Sequence, residues 1–283
     1  MSDSKISGKP LYLSILTVVL LILVSAIMIY PLLLVLNVSF KTRTEFMNNP
    51  SGLFKVKEIG VLFENYVDAF RTLNVFRKFF YTVFMTVGSA LLSCVVITMV
   101  AYPLARKHFL GSDKVFIFIL ISMFFPGSLV ANIFLVQNVG LYNNPLVLII
   151  FWGLGGLTVY IFMAMQFIKD VPSDLDEAAF IDGCGYFRYI FTFIIPLMKP
   201  ILSTIFILKF VGGWNDFLTP YIYLIEDKYM TISTGLFAFK GQFSSNWPGL
   251  SAATFSAALP VIALYVFSQK YIIEGMAAGA LKG

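Results

Sequence analysis

Stretches of about twenty residues with little or no charge recur along this chain, and nothing else in it constrains the fold as tightly. They fall at 11 to 36, 79 to 102, 115 to 137, 145 to 168, 201 to 225 and 251 to 269. A run of about 20 apolar residues crosses a hydrocarbon core of roughly 30 Å as a helix. Inside lipid only a helix or a closed barrel satisfies its own backbone hydrogen bonds. The six runs predict an all-α polytopic membrane protein with six transmembrane helices. Composition agrees, at 59% hydrophobic and 12% charged residues, far from a soluble domain. Lys5 and Lys9 precede the first run as they would in a signal peptide. Its apolar part exceeds the roughly 7–15 residues of a signal core, so it reads as an uncleaved span.

An even number of spans puts both termini on one side. Lys and Arg divide almost evenly between the two sides, so the short loops decide. The loop at 103 to 114 holds Arg106, Lys107 and Lys114, and that at 138 to 144 holds neither Lys nor Arg. Both termini are therefore expected in the cytoplasm. Cys94 falls in a span and Cys184 in a cytoplasmic loop, which argues against a disulfide. The net charge of +5 follows from topology and forms no single basic stripe, so nucleic acid is not implied. The chain lacks GxxxxGKS and GxxxxGKT phosphate loops, HExxH, GxSxG and any CxxC pair. No catalytic residue and no metal ligand set is assigned, and the chain is expected to bind no cofactor of its own.

The connections differ in kind. The first, 37 to 78, is the longest polar segment, with a turn-rich centre at Asn48, Asn49, Pro50, Ser51 and Gly52. A second external segment, Glu226 to Gly249, carries Tyr229, Phe237, Phe239, Phe243 and Trp247. These rings either anchor at the headgroups or touch a carbohydrate or an extracellular protein. The cytoplasmic connection, 169 to 200, is more structured. Pro172 stops the fourth span, Ser173 is placed to cap a helix, and Asp176 stands where a capping box needs an acceptor. Asp174, Asp176 and Glu177 put negative charge at the favoured end of that helix. Leu175, Ala178 and Ala179 are spaced to share one face, and Gly183 and Gly185 end the helix. A second amphipathic segment, Tyr186 to Phe193, leads to Pro196. Such a segment either lies on the headgroups or docks on something outside the bilayer.

Charge inside the membrane is confined to the fifth run, with Lys209 and Asp216 around Gly212, Gly213, Trp214 and Asn215. A charged side chain at the helix centre costs roughly 2.5–3.5 kcal/mol on insertion scales, so these two are expected to face the bundle interior, water, solute or another chain. Spaced seven apart, they lie on nearly one face but about 10 Å apart along an unbroken helix, too far for an ion pair; a bend at the two glycines would change this. Asn132, Gln137 and Asn138 sit near a kink expected at Pro126 and Gly127. All of these also suit polar contacts between helices. The only histidine, His108, reads as a solvated loop residue beside Arg106 and Lys107. The other spans have no acidic or histidine relay of the kind ion-coupled carriers use.

At this point the chain resembles the permease subunits of bacterial ABC importers of the maltose and multiple-sugar type. That family's pattern is EAA, three residues, Gly, nine residues, then I-x-L-P. Glu177, Ala178, Ala179, Gly183 and Pro196 fall in register, with Phe193 and Ile195 in place of Ile and Leu. Asp182 fits the sugar-type form EAAxIDG, and Cys184 stands where Ala is frequent. GGWNDF at Gly212 to Phe217 is similar to the family's GSWNDF, and Gln269 to Gly283 to its C-terminal QRYFxxGLTAGAVKG. Tyr81 and Thr82 depart from the usual Asn-Ser.

The resemblance implies a type I ABC importer permease fold. A segment at 1–78 would hold the N-terminal tail, first span and external loop, and a five-helix core at 79–283 would carry the coupling loop at 169–200. It implies a heterodimer with a second, homologous permease, two cytoplasmic ATPase subunits that bind ATP and Mg, and an extracytoplasmic sugar-binding protein. Asp176, Glu177, Ala178, Ala179, Asp182 and Gly183 would form the ATPase-subunit contact, as a coupling helix on the cytoplasmic side of a protein of the bacterial cytoplasmic membrane. Trp214, Asn215, Asp216, Lys209 and Asn132 are the candidates for the substrate path. Asn and Asp suit sugar hydroxyls, and an indole suits a sugar's apolar face. The rival readings are an ABC importer for a non-sugar solute, an ion-coupled carrier and a membrane-embedded enzyme.

Overall fold

The computed structural model describes residues 11–54, 59–72, 74–125, 127–242 and 246–280, and among them it holds helices and turns but no strand. The chain forms two units, residues 1–72 with 239–259 and residues 73–238 with 260–283.

The first unit opens with α1 (Leu11–Ser39), followed by α2 (Arg43–Asn48) and α3 (Ile59–Thr72). Apolar side chains cover α1 on every side, and none of its 18-residue window of highest hydropathy is buried. A helix that is apolar all round needs lipid or another chain as its solvent. The external connection after it is tied down. Lys41 is buried and donates to the carbonyls of Asn49 and Pro50 at 2.8 and 2.7 Å. The Asn65 amide on α3 donates to the carbonyls of Ser39 and Lys41, and Asn37 bonds Gly52 and Phe54. Thr42 and Glu45 form a reciprocal capping box that starts α2.

The second unit is built on α4 (Val75–Ala105). After it come α5 (Ser112–Ser122), α6 (Leu129–Asn138), α7 (Leu146–Leu154), α8 (Thr158–Asp170) and α9 (Asp174–Ile181). Then follow α10 (Tyr186–Leu197), α11 (Lys199–Asn215) and α12 (Leu218–Tyr223). The last two helices, α13 (Ile232–Gln242) and α14 (Trp247–Ala280), pass from one unit into the other. Helices α7, α8 and α11 all pack on α4. One core joins Ile97 and Ala101 of α4, Ile161, Ala164 and Ile168 of α8 and Ile205 of α11 with Ile190 and Ile194 of α10 and Met198 just after it.

The apolar runs do not all become single helices. Among the described residues, α1 and α4 alone are long and apolar enough to cross a membrane, and two bent pairs bring the number to four. The third run divides into α5 and α6, with the break where a kink was expected; Gly127 lies in it, and Pro126 lies outside the described residues. The fourth run divides into α7 and α8, bent by 56°. In the fifth, Gly212 and Gly213 do not bend α11, which continues to Asn215, while α10 meets α11 at 82°. The C-terminal segment resembling the family tail is helical to Ala280, and residues 281–283 lie outside the described ones.

Candidate functional site

The cytoplasmic connection folds around one buried carboxylate. Val171 is extended (φ −78°, ψ 127°) and Pro172 follows it, so α8 stops and α9 starts anew. The expected capping box does not form. Ser173 has helical dihedrals and its side chain caps nothing. The reason lies in the tertiary structure. Asp176 is only 6% exposed, and its carboxylate turns inward instead of back along the chain. Its Oδ2 lies 2.6 Å from Arg106 Nε, an ion contact in which the N–H is not aligned for a hydrogen bond. Its Oδ1 accepts a hydrogen bond from the Tyr189 hydroxyl. Burial first, and then the Asp176 carboxylate, raise the Tyr189 hydroxyl above its ordinary value, which keeps it a donor. The Tyr102 hydroxyl beside this pair has no hydrogen-bond partner among the described residues.

The far end of α9 closes as the glycine predicts. Gly183 has φ +73°, its N–H donates to Phe180 O at 3.0 Å, and Cys184 N–H donates to Ala179 O at 2.9 Å. These two bonds are a Schellman motif. Helix α9 therefore has two faces. Asp176 and Ala179 point into the protein, while Leu175, Glu177, Ala178, Phe180 and Ile181 are exposed, as are Asp182 and Gly183 after it. Along that helix Leu175 and Ala178 are exposed, and Ala179, between Ala178 and the protein interior, is buried. Ile181, at 85% exposure, and Phe187, at 62%, add an apolar element to an acidic surface.

The polar residues of the fifth span converge on Trp152, where α7 breaks from α8. The break exposes carbonyls that α7 cannot satisfy itself. Gly155 N–H takes Phe151 O, Ser93 Oγ on α4 donates to Gly153 O at 2.7 Å, and Lys209 Nζ donates to Trp152 O and Gly155 O at 2.9 and 2.6 Å. Gly156, at φ +61°, makes the turn. The Lys209 ammonium also lies 5.2 Å from the Tyr160 ring centroid. Its position at the C-terminal end of α7 suits the helix dipole. Asp216 holds the other end of the same residue: Oδ2 accepts from Trp152 Nε1 at 2.7 Å, and Oδ1 accepts from Thr219 N–H at the start of α12. Lys209 and Asp216 form no ion pair with each other; both fix Trp152. Trp214 is buried against Phe79 and Phe210, at centroid distances of 5.8 and 5.5 Å. Asn215 is exposed and its amide donates to Val211 O, and Asn132 on α6 is half-buried.

Several of these participants carry no mark of this role in the sequence. Trp152 reads as one more aromatic in an apolar run, and Arg106 and Tyr189 as loop residues. The buried hydroxyls of α4, Thr82, Thr86, Ser89 and Ser93, do recur at helical spacing and were legible in principle. Thr82 also accepts from Ile232 N–H at 3.0 Å, so one of the two residues that depart from the family pattern is a structural partner. A recess of about 440 Å³ lies beside the α7–α8 break, and its lining (Ile119, Met123, Leu154 and Leu157 among others) includes none of the five path candidates. His108 is exposed, with its ring edge-on to Tyr102 at 5.0 Å. Cys94 and Cys184 are both free. No cluster of metal-ligating side chains occurs among the described residues.

The Lys209 clamp yields a stability prediction. Lys209→Met removes both donors and leaves two carbonyls at the break unsatisfied, at about 1–3 kcal/mol each. Relief of the buried charge offsets part of this. The net expectation is a loss of about 1–3 kcal/mol, read as a thermal midpoint in detergent lower by roughly 2–4 °C per kcal/mol.

Comparison with known proteins extends the picture. The sequence profile of the family described as "Binding-protein-dependent transport system inner membrane component" matches residues 8–277. The melibiose/raffinose/stachyose import permease protein of Bacillus subtilis is 32% identical over 226 residues, covering 79% of this chain and 82% of that protein. A probable starch degradation products transport system permease of Thermoanaerobacterium thermosulfurigenes is 30% identical over 264 residues, covering 92% and 94%. Among solved structures, a chain of a bacterial ABC transporter involved in the import of the acidic polysaccharide alginate aligns with TM-score 0.80 at 21% identity. The alignment covers 92% of this chain and 96% of that one, and the shared feature is the fold.

Proposed function

We propose that this chain, which belongs to the binding-protein-dependent transport system inner membrane component family, is the membrane-spanning permease of an ATP-driven importer for a sugar or oligosaccharide. The observation that carries the reading is α9. It is a short helix closed by a glycine in the left-handed region, with Glu177, Ala178, Asp182 and Gly183 exposed on a surface edged by Ile181 and Phe187. In this reading the work comes from ATP hydrolysed on separate subunits, and α9 is where it enters. Relatives named as permeases for melibiose, raffinose and stachyose and for starch degradation products support the sugar class.

In this reading the chain is a pore-forming subunit and no enzyme. ATP and Mg are held by two separate cytoplasmic ATPase subunits. A second, homologous permease completes the pore, and an extracytoplasmic binding protein delivers the solute. Six spans cross the cytoplasmic membrane with both termini inside, the bent pair α7–α8 serving as one of them. The ATPase contact is the outward face of α9 with Asp182 and Gly183. The solute path runs past α11 and α6. Asn215 and Asn132 offer amides to sugar hydroxyls there, while Lys209, Asp216 and Trp214 hold the wall behind them.

Mild detergent extraction and purification of the tagged chain tests this. The expected companions are an ATPase subunit, a second permease and, on adding solute, a binding protein whose ligand is a sugar. Uptake by the chain alone in ATP-free vesicles under an ion gradient would overturn it, and a binding protein charged with a non-sugar solute would overturn the sugar class.

A further inference from the structure

Asp176 differs from the other acidic residues of the α9 region. Asp174, Glu177 and Asp182 are exposed; Asp176 is 6% exposed and engaged on both oxygens. Each partner belongs to a different element. Arg106 is the residue on which α4 ends, its side chain 11% exposed. Tyr189 lies in α10, 1% exposed, stacked on Phe193 at 5.5 Å and tilted against Tyr102 at 5.8 Å. One carboxylate therefore joins α9 to the cytoplasmic end of α4 and to α10. Helix α4 is also the element on which α7, α8 and α11 pack, and its Ser93 holds the α7–α8 break. Charges withdrawn from water in this way are little screened by salt, so the contact holds at ionic strengths that would loosen a surface ion pair.

We infer that Asp176 is a strut and not part of the partner-binding face: through Arg106 and Tyr189 it locks α9 to α4 and α10, so that displacement of α9 moves the pore helices as one body. The inference rests on the reading of α9 as the ATPase contact. It makes Asp176 a positioning residue whose loss leaves docking intact and breaks the transmission of movement.

The test uses the complete transporter in proteoliposomes and reads solute carried per ATP hydrolysed, a quantity that fold stability alone does not set. Asp176→Asn and Arg106→Met are each expected to keep the ATPase subunits bound and hydrolysing. Solute per ATP should fall roughly tenfold, within the usual range of coupling between sites. The exchange Asp176→Arg with Arg106→Asp is expected to recover at least about a third of the parental ratio, as a rescue of paired charges should. Tyr189→Phe, which deletes one hydroxyl, is expected to lower the ratio by roughly two- to fivefold. Loss of the ATPase subunits from an Asp176→Asn protein present at parental level would make Asp176 a docking residue and overturn the strut. A ratio within about twofold of the parent in both single variants would do the same. Should the single variants not accumulate, the charge exchange and Tyr189→Phe decide: an uncoupled exchange or an unchanged Tyr189→Phe ratio overturns the inference. Failure of the parent itself to hold ATPase subunits would count against the proposed function, not against the strut.

Discussion

Replacing Gly183 with valine is expected to leave the protein in the membrane but to strip it of the ATPase subunits proposed to drive it and reduce solute uptake at least roughly tenfold. Gly183 stands at φ +73°, where an L residue costs about 1–2 kcal/mol and a β-branched one more. The Schellman bonds to Phe180 and Ala179 depend on that conformation, so the exposed end of α9 would unwind or shift. A side chain at Gly183 meets no atom of its own chain within 4 Å, which means that the chain itself has room for one. A partner seated on α9 would take that room. Gly183→Asn separates the two costs, because Asn tolerates the left-handed region. Retained association with Asn would assign the damage to conformation, and loss with both would assign it to a filled docking space. Normal membrane level, association and uptake in the valine variant would remove α9 from the coupling role.

The parts of this protein that were legible in its sequence are those governed by neighbours along the chain. Gly183 ends a helix for local reasons, and the structure ends α9 there. Run length foretold α1 and α4 for a similar reason, since lipid leaves a long apolar segment one option. What failed was the local rule with a distant competitor. Ser173 and Asp176 have the spacing of a capping box, yet a guanidinium from the end of α4 and a phenol from α10 take the carboxylate. Lys209 shows a second limit. Its cost in the membrane was plain, but its partners are backbone carbonyls at a break in another span, and no residue type announces those. Gly155 and Gly156 mark that break, and in the sequence they lie inside an apolar run. Ser93, on Gly153 O, and Lys209, on Trp152 O and Gly155 O, supply from other helices the donors that the break requires.

Asp216 is where these two kinds of role meet, and its substitution separates them. Asp216→Ala is expected to lower uptake by roughly tenfold or more, because it removes an acceptor from the Trp152 indole and the cap from Thr219, each bond to a charged group contributing about 1.5–3 kcal/mol. Asp216→Asn should lie between alanine and the parent, since its one carbonyl oxygen can keep a single bond. Trp152→Phe supplies the decisive comparison by deleting the indole donor and leaving Asp216 in place. If Asp216 acts by holding Trp152, the phenylalanine variant reproduces a large part of the alanine loss, and both fall equally for every sugar carried. If Asp216 touches the solute, Trp152→Phe leaves uptake near the parental level and Asp216→Ala changes the apparent KM differently among sugars. The geometry favours the first outcome: Trp152 is gripped at its carbonyl by Lys209 and at its ring nitrogen by Asp216, so that in the proposed solute path Asn215, exposed one residue earlier, is the group left to meet the solute.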